Sequence, residues 1–237
     1  MQIEGATALV TGTNRGLGHH FAAELLRRGA KVYATARRPE LVDVPGAEVL
    51  RLDITDPASV EAAADVAGDV DVIVSNAAST DGGNLVSGDL DAIRGVMDSN
   101  YYGTLNVIRA FAPILARNGG GAILNVLSAA AWTTVDGNAA YAAAKSAAWG
   151  LTNGVRIELE KQGTLVSALV PGLVRTQTLL DFAREAGMVL PPEAVTDPAD
   201  LAALALDGLE AGSIEIFDSM GADAKAGLAG PPRAFSV

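Results

Sequence analysis

The segment TGTNRGLG, from Thr11 to Gly18, limits what this chain can fold into more than any other stretch. It follows a short β-branched run, Thr7 to Val10, and opens a segment with helical patterning, Gly16 to Arg28. A strand that turns through three glycines into a helix starts a βα unit suited to holding an anion. Gly12 permits the tight turn, Gly16 lets backbone approach a phosphate, and Gly18 lets the helix pack closely on the strand. Free N–H groups and the dipole at the helix start favour negative charge there.

The rest of the chain repeats that alternation. Apolar runs at Lys31 to Ala36, Ala47 to Leu50, Val70 to Val74, Gly121 to Leu127, Thr164 to Val170 and Ser213 to Phe217 are separated by longer amphipathic or alanine-rich segments. The pattern predicts an α/β fold, a Rossmann-type doubly wound parallel sheet of about seven strands flanked by helices. Near-continuous apolar stretches such as DVIV and AILNVL suit strands covered on both faces. Helix punctuation agrees: Gly29 is placed to end the first helix, and Asp56-Pro57 and Asp197-Pro198 each set a capping carboxylate before a first-turn proline. One long helix is expected from Asn138 to Gln162, closed by Gly163. The 237 residues suit a single domain, 1–237, with a small mobile lid at about 177–196. The Gly/Ala-rich tail from Gly221, ending GPPRAFSV, is expected to be loosely ordered at its end.

Composition removes several classes of function. With no cysteine there is no disulfide framework, thiol nucleophile or Cys-based zinc site, and a reducing interior is indicated. The two histidines, His19 and His20, are adjacent and point to different helix faces, so no metal site is expected. A net charge of −11 argues against nucleic acid or an anionic membrane surface as partner. No apolar run reaches the length of a membrane span, and MQIEGATALV reads straight into the first strand rather than as a signal peptide. A soluble, cytoplasmic protein is expected.

The run YAAAK puts Tyr141 and Lys145 four residues apart, one turn apart on one helix face. A free phenol has a pKa of about 10, and a neighbouring ammonium favours the phenolate and lowers that value. Tyr141 is then suited to giving a proton to a carbonyl oxygen or taking one from an alcohol. Ser128, thirteen residues earlier and at a strand end, supplies a hydroxyl beside it.

TGTNRGLG, Asn76-Ala77, Asn100, Ser128, YAAAK and PGLVRT, in that order between Thr7 and about Thr176, together resemble the short-chain dehydrogenase/reductase family in its compact single-domain form. The resemblance implies a catalytic set. Tyr141 is the general acid, or the base in the oxidative direction. Lys145 lowers its pKa and holds the nicotinamide ribose, and Ser128 hydrogen-bonds the substrate oxygen. Asn100 sits in a distorted helix whose freed carbonyl holds a relay water beside Lys145. A dinucleotide would be held by Gly12, Thr13, Asn14, Arg15, Gly16, Leu17 and Gly18, by Asn76 and Ala77, and by Tyr141 and Lys145. Asp53 would face the adenine amino group with Ile54 beside the ring. Pro171, Gly172, Val174 and Thr176 would meet the nicotinamide carboxamide.

Charge distinguishes the two nicotinamide cofactors. NAD-preferring folds place an acid at the end of the second strand, whereas this chain has Ala36, Arg37 and Arg38 there. Guanidinium groups bind a 2′-phosphate by charge-assisted hydrogen bonds, and Arg15 resembles the second basic residue of NADP-using members, so NADP(H) is expected. The chain departs from the family at Ser75-Asn76-Ala77-Ala78, where Asn-Asn-Ala-Gly is usual, and at EIFDSMG, where Asp-Gly-Gly is usual. The second departure puts a tetramer in doubt. A homo-oligomer, a dimer before a tetramer, is expected through the long helices around Asn100 and Trp149. Substrate-facing positions are expected at Asn84, Ala130, Trp132, Leu179, Leu180 and Phe182, mostly apolar, for a small or medium apolar ketone or aldehyde. The leading expectation is an NADPH-dependent carbonyl reductase. A physiological alcohol dehydrogenase of hydroxysteroid or hydroxyacyl type, and a non-catalytic NADP(H)-binding regulator, remain as alternatives; a nucleotide-sugar epimerase would need a larger C-terminal substrate region.

Overall fold

The computed structural model describes residues 1–134, 137–185 and 187–230. Strands and helices alternate from the first turn: β1 (Thr7–Thr11), α1 (Gly16–Arg27), β2 (Lys31–Ala36), β3 (Glu48–Arg51), α2 (Pro57–Val66), β4 (Val72–Ser75) and α3 (Leu90–Met97). A π-helical turn, Asp98–Gly103, leads from α3 into α4 (Thr104–Arg117). There follow β5 (Ala122–Val126), α5 (Ala139–Glu158), β6 (Leu165–Val170), β7 (Leu173–Val174), α6 (Gln177–Glu185), β8 (Val195–Thr196), α7 (Pro198–Glu210), β9 (Glu215–Phe217) and α8 (Ser219–Ala226).

Seven of these strands form one all-parallel sheet in the order β3-β2-β1-β4-β5-β6-β9. β7 and β8 pair separately. Alternate strand residues serve opposite faces. Val10, Val72 and Leu124 meet Phe21, Leu25, Leu201 and Leu206 of α1 and α7. Leu9, Ile73 and Ile123 meet Val60, Phe111, Leu115 and Val155 of α2, α4 and α5. Full burial of a side chain such as Phe111 contributes about 1.5–3 kcal/mol, and two faces of such contacts hold the sheet rigid. Strand order reverses at β1, which has β2 on one side and β4 on the other, so a crevice opens at the carboxyl ends of β1 and β4.

The sheet and helices follow the sequence pattern, with ends moved by a residue or two. Asp56 and Asp197 cap α2 and α7 by accepting from Ala58 N and Ala199 N. α5 stops at Glu158, earlier than the apolar pattern suggested, and continues as a 3-10 turn, Glu160–Gln162, before Gly163 turns the chain at φ 76°. The start of the tail is helical. The stretch after Asp218 winds into α8, because the Asp218 carboxylate accepts from Gly221 N at 2.8 Å and Lys225 pairs with Glu215 at 2.8 Å. The expectation of loose order at the very end falls on residues 231–237, outside the described residues.

Candidate active site

The glycine turn is shaped by backbone demands. Gly12 and Gly16 have φ of 74° and 59°, which favour glycine, and a Cβ on Gly18 would collide with the Gly12 carbonyl and lie 2.5 Å from Asn76 Nδ2. Asn76 Nδ2 donates to the Thr11 and Gly12 carbonyls at 2.9 and 3.3 Å. Thr11 Oγ1 in turn accepts from Asn76 N and Ala77 N, both at 2.9 Å. The two strand ends that flank the crevice are thus sewn together by Thr11 and Asn76. Sequence reasoning gave Thr11 no role; the signal was a hydroxyl on the last strand residue before the glycine turn. Thr13 is buried, its hydroxyl on the Thr35 carbonyl at 3.2 Å, and Leu17 is buried in the core, leaving its backbone as the part that can serve the turn. Asn14 is half-buried within the turn.

Arg15 is the N-cap residue of α1, whose first turn holds no acid. Arg37 and Arg38 follow buried Ala36 at the end of β2. All three arginines are exposed, and among the described residues none forms an ion pair. Asp53 uses Oδ1 to accept from Thr55 N and Oγ1 at 3.0 and 2.7 Å. Ile54 is buried, and a Cβ on Gly103 would lie 2.8 Å from its Cδ1. These residues fit a dinucleotide: glycines leave the turn's backbone uncovered, and the exposed arginines in that turn and after β2 have no ion pair among the described residues.

Ser128 leaves the end of β5 in extended conformation, and its Oγ accepts from Ala130 N at 3.1 Å. α5 brings Tyr141 to it. Burial pushes the Tyr141 phenol up to about 12, against a smaller opposing pull from its hydrogen bond with Ser128. Lys145 is 4% exposed, and burial brings its ammonium down to about 8. Its Nζ donates to the Val126 carbonyl at 2.9 Å and lies 5.6 Å from the Tyr141 ring centroid. The Lys145 ammonium is thus turned toward the strand, and the shift at Tyr141 is set by burial.

Asn100 lies in the π-turn, the expected helix distortion. Its Nδ2 donates to the Val96 and Ser79 carbonyls at 2.9 and 2.8 Å. Its carbonyl accepts from Thr104 Oγ1 at 3.0 Å, so one of its two lone pairs is already used. Its Oδ1 is buried without a partner among the described residues.

The turn Pro171 to Thr176 faces the glycine turn: a Cβ on Gly16 would lie 3.4 Å from Thr176 Cγ2. Thr176 N donates to the Val174 carbonyl at 2.6 Å, and Arg175 N to the Thr196 carbonyl at 2.9 Å. A cavity of about 770 Å³ begins beside the Ser128–Tyr141 pair, at Ala129, Ala130 and Ala142, and is walled by Trp132, Met220 and Asp223. It lies next to the Ser128 and Tyr141 hydroxyls rather than over them. Ala130 and Trp132 line it; Asn84, Leu179, Leu180 and Phe182 do not. Asn84 instead shapes its own turn, Oδ1 accepting from Val86 N at 2.9 Å. Trp132 packs edge-on against Trp149 at 5.8 Å, and Lys225 sits 4.9 Å and 5.3 Å from the two ring centroids, which secures α8 as a cavity wall.

A doubly wound parallel sheet with a glycine turn at its reversal and a Ser–Tyr–Lys cluster across the crevice defines a dinucleotide-type oxidoreductase fold. The chain belongs to the short chain dehydrogenase family, whose model matches residues 6–186. It is 35% identical over 192 residues to the 1-deoxy-11-beta-hydroxypentalenate dehydrogenase of Streptomyces avermitilis, covering 74% of this chain and 71% of that protein. It is 32% identical over 216 residues to the 3-oxoacyl-acyl-carrier-protein reductase of Vibrio cholerae, covering 85% and 88%. The crystal structure of a short chain dehydrogenase from Burkholderia cenocepacia in complex with NADP superposes with a TM-score of 0.88 at 38% identity, covering 97% of this chain and 94% of that one.

Proposed function

We propose that this protein is an NADP(H)-dependent oxidoreductase that reduces a ketone or aldehyde to an alcohol and runs the reverse oxidation at the same site. The observation that carries the reading is the Ser128–Tyr141 hydroxyl pair above buried Lys145, opposite an uncovered glycine turn. Bound NADPH supplies the hydride to the carbonyl carbon. Ser128, whose Oγ accepts from Ala130 N and is hydrogen-bonded to Tyr141, would turn its proton to the carbonyl oxygen. Tyr141 gives that oxygen its proton; a phenol held protonated is the form reduction requires. Lys145 would hold the nicotinamide ribose and, through a water held by the Asn100 carbonyl, would return a proton from solvent to the phenol.

Glycines of the turn, with Thr13, Asn14, Asn76 and Ala77, would hold the pyrophosphate and adenine ribose, and Arg15, Arg37 and Arg38 the 2′-phosphate. The three unpaired guanidinium groups and the NADP-bound Burkholderia relative support this choice over NAD(H). Among the described residues lining the cavity, the charged groups are Glu193 and Asp223, without a lysine or arginine. An uncharged, largely apolar carbonyl compound fits that wall better than a phosphorylated or carboxylated one. The segment 177–196 would act as the lid. We place the protein in the cytoplasm as a dimer through the long helices around Asn100 and Trp149, where Tyr102 of the π-turn and Ile157 of α5 are 53% and 73% exposed.

Fluorescence titration with NADPH and, separately, NADH tests the reading before any substrate is known. Preferential NADPH binding is expected; tighter NADH binding removes the 2′-phosphate argument, and binding of neither removes the oxidoreductase reading.

A further inference from the structure

Asp218 follows β9, remote in sequence from the expected catalytic and cofactor residues, yet its carboxylate gathers three segments. Gly172 N donates to both oxygens, at 3.0 Å to Oδ1 and 2.9 Å to Oδ2. Thr196 Oγ1 donates to Oδ2 at 3.2 Å, and Gly221 N to Oδ1 at 2.8 Å. Capping α8 needs only the Gly221 bond. The remaining contacts reach the Pro171–Thr176 turn and the end of the 177–196 segment. Met220 closes the same junction from above, since a Cβ on Gly172 would lie 2.5 Å from Met220 Cβ and Sδ.

The turn held by Asp218 is also tied to the reacting hydroxyls. The Pro171 carbonyl accepts from Ala129 N at 2.7 Å, and Ala129 is the residue after Ser128. Arg175 N, later in the turn, bonds the Thr196 carbonyl at 2.9 Å, next to the hydroxyl that Asp218 accepts. One carboxylate therefore fixes the turn from Gly172, and the turn fixes the backbone beside Ser128. Hydrogen bonds to an ionised acceptor are shorter and stronger than neutral ones, so this is a stiff link.

We infer that Asp218 is a positioning residue that sets the Pro171–Thr176 turn against the nicotinamide half of the cofactor and in register with Ser128. The inference rests on the dinucleotide reading above. It separates two halves of one ligand: the adenosine half rests on the glycine turn and the arginines, which Asp218 does not touch, while the nicotinamide half depends on it.

Isothermal titration of the full chain with NADPH and with 2′-phospho-ADP-ribose, which lacks nicotinamide, tests this. In Asp218→Asn, which keeps the shape and loses the charge, fragment affinity should stay within about twofold of wild type. NADPH affinity should fall about tenfold or more, with loss of the bound nicotinamide's fluorescence enhancement. Asp218→Glu, which keeps the charge but moves both oxygens by a methylene, should give the same split and serves if the first variant does not fold. Should wild type bind NADH more tightly, NADH and ADP-ribose form the pair. Equal weakening of both ligands, or of neither, overturns the positioning role while leaving the dinucleotide reading intact. Failure of wild type to bind either dinucleotide overturns both.

Discussion

Lys145 and Tyr141 share one face of α5, yet the Lys145 ammonium donates to the Val126 carbonyl at 2.9 Å and stands 5.6 Å from the Tyr141 ring centroid. The lysine is thereby tied to the end of the strand that delivers Ser128, while the phenol keeps its proton under desolvation. On the proposed function, a phenol held protonated is the form that gives a proton to a carbonyl oxygen.

Tyr141→Phe removes the proton donor and leaves the ring packing in place. Turnover should fall by about 10²–10⁴-fold or more, the usual contribution of a positioned acid. NADPH affinity should change little, because one hydroxyl among many contacts is lost. Steady-state kinetics beside a binding titration checks both halves. Unchanged turnover of an identified substrate would show that Tyr141 is not the acid.

Lys145→Met tests the buried ammonium through stability. The folded-state pKa of Lys145 is about 8, below its usual 10.5, so between these values the unfolded chain holds more protons at this site. By linkage, this group makes wild type gain stability as pH rises from about 8 to 10.5. A shift of this size corresponds to roughly 3 kcal/mol, and Lys145→Met lacks it. Urea unfolding of both proteins across that range should show wild type gaining on the variant as pH rises; parallel curves would place the ammonium in water.

Arg37→Ala should weaken NADPH binding by about 10–100-fold, the worth of a charge-assisted hydrogen bond, and leave NADH binding unchanged. Arg37 is exposed and without an ion pair among the described residues, so its loss should leave thermal stability nearly unaltered. Titration of both cofactors at two salt concentrations separates the effect from general screening, since the 2′-phosphate contact should weaken with salt and the NADH contact should not.

Much of this was legible in sequence because periodicity and punctuation report local physics. The strand core from Val10 to Ile123, the caps at Asp56 and Asp197 and the stop at Gly163 all follow from patterns a few residues long. The glycine turn and the YAAAK spacing are local in the same sense. What stayed hidden depends on pairs far apart. Thr11 meets Asn76 across 65 residues, and Asp218 meets Gly172 across 46. The helix α8 was not legible because alanine and glycine give no amphipathic signal, whereas Lys225 beside two tryptophan rings supplies its anchor. The Lys145–Val126 contact was hidden as well, because i, i+4 spacing specifies a shared face but not which acceptor the lysine chooses, nor how much water the fold removes.

The acids on the cavity wall make the last prediction. Glu193 and Asp223 both line the space beside Ser128 and Tyr141, and like charge raises the cost of bringing an anionic substrate there. Two carboxylates near a partly open cavity should disfavour a single negative charge by about 1 kcal/mol, a few-fold to tenfold in kcat/KM. A Glu193→Gln/Asp223→Asn double variant should therefore raise kcat/KM for a carboxylate-bearing ketone about fivefold at low ionic strength, and leave its neutral ester analogue unchanged. Added salt should erase the difference for wild type and leave the variant flat. If both substrates respond equally, the two acids shape the cavity without selecting charge, and preference for an uncharged carbonyl would have to come from the apolar wall formed by Trp132 and Met220.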